Sequence, residues 1–123
     1  MFDEVNRKIK QYQTTNPNVL VKVKIEDLTD PIEVKSTSFL VRALSWAIRK
    51  VRSNTPTLIR KTGTGDMNVL GNALKTPVVT YGPGDSSLDH TPDECVDIQE
   101  YLDSIQVYRE AIIRLVELHK KGK

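Results

Sequence analysis

Apolar residues recur along this chain in two rhythms, and they divide it into helices and extended segments. Phe2, Val5, Ile9 and Tyr12 fall three or four residues apart, which predicts a helix over residues 2–13. Thr14 to Asn18, with Pro17 inside it, ends that helix. Val19, Val21, Val23 and Ile25 then alternate with Lys22 and Lys24, the pattern of a half-exposed strand. A turn is expected over Asp27–Pro31. Phe39, Leu40, Ala43, Leu44, Ala47 and Val51 predict a second helix over Ser36–Arg52, flanked by Trp46 and capped by Ser36 or Thr37.

The second half repeats the alternation of element types. Thr57–Arg60 reads as a short strand, Asp66–Leu74 as a short helix and Pro77–Tyr81 as a second strand. Val78 and Val79 are adjacent rather than alternating, as in a strand covered on both faces. From Asp97 to Lys121 runs the longest helical pattern. Its stripe is Ile98, Tyr101, Leu102, Ile105, Tyr108, Ile112, Leu115, Val116 and His119. Asp97 and Glu100 stand at capping-box spacing. The basic tail Lys120, Lys121 and Lys123 is expected to fray.

These elements predict an α/β fold: a helix and strand, then a βαβ unit with two parallel strands and a right-handed crossover, then a long C-terminal helix. The opening pair is physically incomplete, because one helix and one strand cannot satisfy a strand's two edges. The chain therefore reads as cut from the middle of an αβ layer, its missing strands supplied by a second copy or by a larger protein.

Composition narrows the class only a little. At 123 residues, 38% hydrophobic and 28% charged, the chain is an ordinary globular sequence of one modest domain. No apolar run approaches the roughly 20 residues of a membrane helix. Acids stand where the basic start of a signal peptide would be, and Cys95 is the single cysteine; both fit a cytoplasmic setting. The net charge of +2 hides an asymmetry. Residues 1–61 carry 12 basic and 6 acidic side chains, whereas residues 62–123 carry 6 and 10. A basic half can meet an acidic partner or simply be solvated. No aromatic interleaving or recognition-helix signature points to nucleic acid.

Candidate chemistry gathers in two loops. Tyr81–Glu94 holds Gly82, Pro83, Gly84 and Pro92, four carboxylates and His90. His90 could ligate a metal, with Asp85, Asp89, Asp93 or Glu94 beside it; equally it could be a solvated turn histidine. The other loop, Lys61–Asp66, contains Gly63-Thr64-Gly65 before a helix start. Backbone N–H groups there favour an anion, and Thr64 adds a hydroxyl; the alternative is a tight turn capped by Asp66. Both loops follow expected parallel strands, so they should lie side by side at the ligand-binding edge. A dinucleotide fingerprint is the first competitor, but Asn68 replaces its third glycine and Asp66 sits where a pyrophosphate would dock.

The run Lys61-Thr-Gly-Thr-Gly-Asp-Met-Asn68, followed by Tyr81-Gly-Pro-Gly84 and Asp89-His-Thr-Pro-Asp-Glu94, resembles the C-terminal end of the zinc-dependent aminoacylase and carboxypeptidase family. Acetylornithine deacetylase and succinyl-diaminopimelate desuccinylase are members. The wording looks closest to archaeal acetyl-lysine deacetylases, which release lysine or ornithine from an acidic amino-group carrier protein. The resemblance implies that residues 1–33 end a lid or dimerisation subdomain and residues 34–123 end a phosphorylase/hydrolase-like catalytic subdomain. It also implies that His90 ligates one of two zinc or cobalt ions and that Gly63, Thr64 and Gly65 contact the substrate's carboxylate. The family often has serine where Gly65 stands.

No catalytic residue is expected in this chain, because the family's His-x-Asp motif, bridging aspartate and paired glutamates do not occur here. A two-metal hydrolase needs several ligands and a base. The expectation is the C-terminal portion of a metal-dependent amidohydrolase of lysine or arginine biosynthesis, inactive alone. Its substrate would be a small N-acyl amino acid or the acidic carrier, and it would be homo-oligomeric, with neither nucleic acid nor membrane as partner. The rivals are a non-catalytic α/β module that self-associates through Val19–Ile25, and a nucleotide-binding domain built on the Gly63 turn.

Overall fold

The computed structural model describes residues 2–26 and 28–121. It contains four helices: α1 (Phe2–Thr15), α2 (Phe39–Arg52), α3 (Asp66–Leu74) and α4 (Ile98–Lys121). All four stand where the 3.6-residue rhythm places them. Asp27, where the first turn was expected to begin, and Lys123 of the tail lie outside the described residues.

The α/β expectation is overturned. Among the described residues there is no strand and no sheet, so neither the helix–strand opening nor the βαβ unit exists. Outside the helices, backbone–backbone hydrogen bonds are confined to turns and caps. Alternation records what a segment could do if a neighbour offered its backbone; it does not supply the neighbour. Val19–Ile25 has none, and its valines and isoleucine are exposed together with Leu20. Side chains take some of the carbonyls a ladder would have used. Gln13 Nε2 donates to the Val19 carbonyl at 3.1 Å, and the Tyr108 hydroxyl donates to that of Tyr81.

Helix caps show why α2 and α4 begin where they do. The N-cap of α2 is Ser38, not the expected Ser36 or Thr37; its side chain accepts the Val41 N–H at 3.3 Å. Ser53 ends α2 in the left-handed region at φ 54°, its N–H returning to Arg49. Asp97 accepts the Glu100 N–H at 2.8 Å and so caps α4.

α2 and α4 are the only helices that pack against each other among the described residues. Ala43, Ala47 and Ile48 of α2 are buried, as are Ser104 and Val107 of α4. Ala47, Ile48 and Val107 form the cluster's centre, with Leu44, Trp46, Val51, Tyr81 and Ala111 around it. Small residues at this seam let two helices approach closely. The consequence on α4 was not anticipated: the face carrying Ser104, Val107 and Ala111 packs, while the larger stripe of Ile98, Tyr101, Leu102, Ile105, Ile112 and Val116 stays open. Two ion pairs bracket the seam, Lys50–Glu110 at 2.7 Å and Arg52–Glu100 at 2.5 Å. Trp46 is flanked by cations, with Lys50 Nζ 5.0 Å and Arg114 Cζ 5.3 Å from its ring.

α3 is fastened separately. Asn68 and Asn72 both donate to the Asp30 carbonyl, at 3.2 and 3.0 Å. Gly71 is buried beneath Ile32 and Val78, so close that an added Cβ would lie 2.2 Å from Ile32 Cδ1.

Candidate functional site

The loop carrying His90 is held by its own turns. Asp85 Oδ1 accepts the Ser87 N–H at 2.9 Å, an Asx turn, and the Leu88 N–H returns to the Asp85 carbonyl. Ser87 holds the Asp85 carboxyl below its usual range, first through its N–H and then through its hydroxyl. The Thr91 N–H and hydroxyl both donate to the Leu88 carbonyl, and the Glu94 N–H donates to Thr91. Between these turns His90 adopts φ 65°, and its N–H donates to Glu94 Oε2 at 3.0 Å. Histidine tolerates this left-handed conformation better than most residues, at a cost. The residue is exposed, and neither ring nitrogen has a hydrogen bond among the described residues.

The loop's two ends meet. At Gly84, which has φ 97° and so a conformation favouring glycine, the Cβ direction looks onto Val96 Cγ2 and the Cys95 carbonyl at 3.5 and 3.6 Å. Residues 84–95 thus form a closed surface loop of the kind that often carries function. Its root is tied to the helices through Glu100. One carboxylate oxygen accepts the Gly84 N–H at 3.1 Å and the other meets Arg52. The Gly84 N–H, and next the Arg52 guanidinium, hold the Glu100 carboxyl below its ordinary range. Glu100 in turn raises Arg52.

The glycine turn is built differently from expectation. Gly65, not Asp66, is the N-cap of α3, and at φ −164° its backbone is extended and open to any residue. Its N–H donates to Asn68 Oδ1 at 3.2 Å, while the Asn68 N–H donates to the Gly65 carbonyl at 2.9 Å. One of the three N–H groups read as an anion cradle is therefore already used. A Cβ at Gly63 or Gly65 would meet nothing within 4 Å. Neither glycine is demanded by backbone strain or crowding, so the space above the turn is free for another group to approach. The nucleotide reading loses its frame, because no strand leads into this turn and Asn68 fills the third glycine position.

The two loops do come together, though not as ends of neighbouring strands. Lys61, leading the glycine turn, lies 3.8 Å from Asp89, the residue before His90. This exposed pair is worth little in stability, but it puts Thr64 and His90 on loops that touch. No three His, Cys, Asp or Glu side chains converge on a metal-sized space among the described residues. Asp89 faces Lys61, and Glu94 is bonded to the backbone of His90 itself. Lys61, Arg52 and Glu100 were not expected as site residues: the sequence shows Lys61 only as the start of the glycine turn, Arg52 as the end of a helix and Glu100 as a local capping residue.

Comparison with known proteins follows the same residues. A family model described as peptidase family M20/M25/M40 matches residues 6–114. A putative [LysW]-lysine/[LysW]-ornithine hydrolase of Pyrococcus furiosus is 47% identical over 91 residues, covering 74% of this chain and 28% of that protein. A [LysW]-lysine hydrolase of Deinococcus radiodurans is 51% identical over 77 residues, covering 63% of this chain and 21% of that protein. A [LysW]-lysine/[LysW]-ornithine hydrolase of Sulfurisphaera tokodaii is 41% identical over 93 residues, covering 76% and 26%. The matched region is thus 28% or less of the length of each of these relatives.

Proposed function

The chain belongs to peptidase family M20/M25/M40, and on that premise we propose that it is the C-terminal portion of a metal-dependent amidohydrolase releasing lysine or ornithine from an N-acylated or carrier-linked precursor. The observation that carries this reading is the 47% identity with a protein named putative [LysW]-lysine/[LysW]-ornithine hydrolase. Residues 1–33 would end a lid subdomain and residues 34–123 a catalytic one.

Family members are generally metal-dependent, zinc or cobalt being the metals expected here. The donors of this chain do not fit such a group by themselves, since no triad of ligating side chains assembles among the described residues. No hydrolytic step can be assigned to these residues alone. In the proposed reading, His90 is one donor of a site whose companions lie in the rest of the parent enzyme. Gly63, Thr64 and Gly65 face the substrate's carboxylate, with the Gly63 and Thr64 N–H groups and the Thr64 hydroxyl as donors.

Open apolar rows on α1 and α4 and along Val19–Ile25 support a chain that is normally covered, by the rest of its parent or by a second copy. No helix is long and apolar enough to cross a membrane among the described residues. We place the parent in the cytoplasm, in amino-acid biosynthesis.

The test is turnover. The purified chain, given Zn2+ or Co2+ and either N-acetyl-lysine or lysine-loaded carrier protein, should release no lysine. Metal-dependent release would overturn the proposed inactivity. In the complete enzyme, His90→Ala should strip metal, measured by elemental analysis after dialysis, and Thr64→Val should raise KM.

A further inference from the structure

We infer that Glu100 is a positioning residue whose carboxylate sets the orientation of the loop bearing His90; this rests on reading His90 as functional. A glutamate at the third position of a helix ordinarily reaches back to the N-cap backbone N–H. Glu100 keeps only half of that arrangement. Its N–H donates to Asp97, but its side chain turns away from the local donor. One oxygen takes the Gly84 N–H at 3.1 Å and the other takes Arg52 Nη1 at 2.5 Å. The two side chains are 25% and 28% exposed, sheltered enough for the contacts to hold their geometry.

The placement explains why this one carboxylate matters. Gly84 is the first residue of the closed loop, and the loop's last residue, Cys95, and Val96 after it lie against it. Asp97, two residues after the loop, caps the same helix that bears Glu100. Glu100 therefore joins three bodies at one point: the C-terminal turn of α2, the N-terminal turn of α4 and the root of the loop. Within the loop His90 is six residues from Gly84, and its backbone is locked to Glu94. Its orientation relative to the α2–α4 pair is carried through the root. The Lys61–Asp89 contact, at 3.8 Å and exposed, is too weak to do this alone.

The clamp is tested by native-state amide exchange on the 123-residue chain, with the His90 imidazole followed by NMR. Glu100→Ala should speed exchange of the His90 and Thr91 amides about tenfold more than that of Ala47 and Val107. It should also sharpen and shift the His90 ring signals. Glu100→Gln, which keeps an acceptor for the Gly84 N–H, should restore part of the loop's protection. If Glu100→Ala prevents folding, Arg52→Met removes the α2 arm of the clamp while sparing the Gly84 contact, and the His90 and Thr91 amides should still exchange faster relative to Ala47 and Val107, by less than in Glu100→Ala. Loop amides that loosen no more than the α2–α4 amides, with an unchanged His90 ring, would overturn the inference. Loss of metal in the complete enzyme is a separate matter. Were His90→Ala to leave metal retention intact, the functional reading would fall and the clamp would stand.

Discussion

Val107→Ala tests whether the α2–α4 seam is what holds this chain together. Val107 is 0% exposed and is the largest side chain so fully enclosed among the described residues. Truncation removes two carbons, worth about 0.8 kcal/mol each as buried CH2 equivalents. The cavity that remains because the site collapses only in part costs about 1 kcal/mol more. Alanine's better helix propensity returns about 0.5 kcal/mol. The net loss is about 2 kcal/mol, a large share of the stability of a small domain. Val116→Ala is the control, because Val116 lies on the same helix but is 49% exposed. There the propensity gain offsets most of what a half-buried side chain loses, and the change should be within about 0.5 kcal/mol of zero. Urea unfolding followed by Trp46 fluorescence reads the difference, since Trp46 packs on the same cluster. With a slope of about 1–3 kcal/mol per molar urea, the midpoint should fall by about 1 M in Val107→Ala and hardly move in the control. Equal shifts in the two variants would refute the assignment of the core.

Two further predictions concern the loop. His90→Gly should raise stability by about 1 kcal/mol, because glycine accepts φ 65° without the cost borne by an L side chain; urea midpoints that fall instead would reveal contacts made by the imidazole. Acid should release the Glu100 clamp. Its folded pKa lies below the ordinary 4.5, so the stability it contributes is complete above that value and disappears as pH falls through the folded pKa. The stability gap between the native chain and Glu100→Gln should therefore be constant near neutrality and close on the acid side of 4.5, and a gap that widens there would reverse the sign.

The helices were legible because a 3.6-residue period and its caps are local properties, and Asp97 and the Asp66–Leu74 span show it. What α4 packs against was not. The eye follows Ile98, Tyr101, Leu102 and Ile105, yet the buried row is Ser104, Val107 and Ala111, where small side chains allow α2 to come close. Strands were misread because pairing belongs to two segments, and the alternation of Val19–Ile25 specifies only one. The candidate site divides the same way. Gly63, Thr64, Gly65 and His90 stand out as loop residues with donors to offer. That Gly65 spends its N–H on Asn68 follows the same N-cap spacing as Asp97 and Glu100, but glycine offers no side chain to signal it; that Glu100 leaves its own helix end for Gly84 is a contact between residues far apart in sequence that no spacing rule connects.

α1 stands apart from the other helices among the described residues. At 14 residues it is about the length at which a helix in water forms only part of the time. Whatever settles on Phe2, Val5, Ile9 and Tyr12 must therefore raise its helicity, and by the same linkage its helicity reports how often something has settled there. A single isotope label at Val5 would turn this segment into a gauge of assembly, reading empty when the chain is alone and full when its covering surface is present.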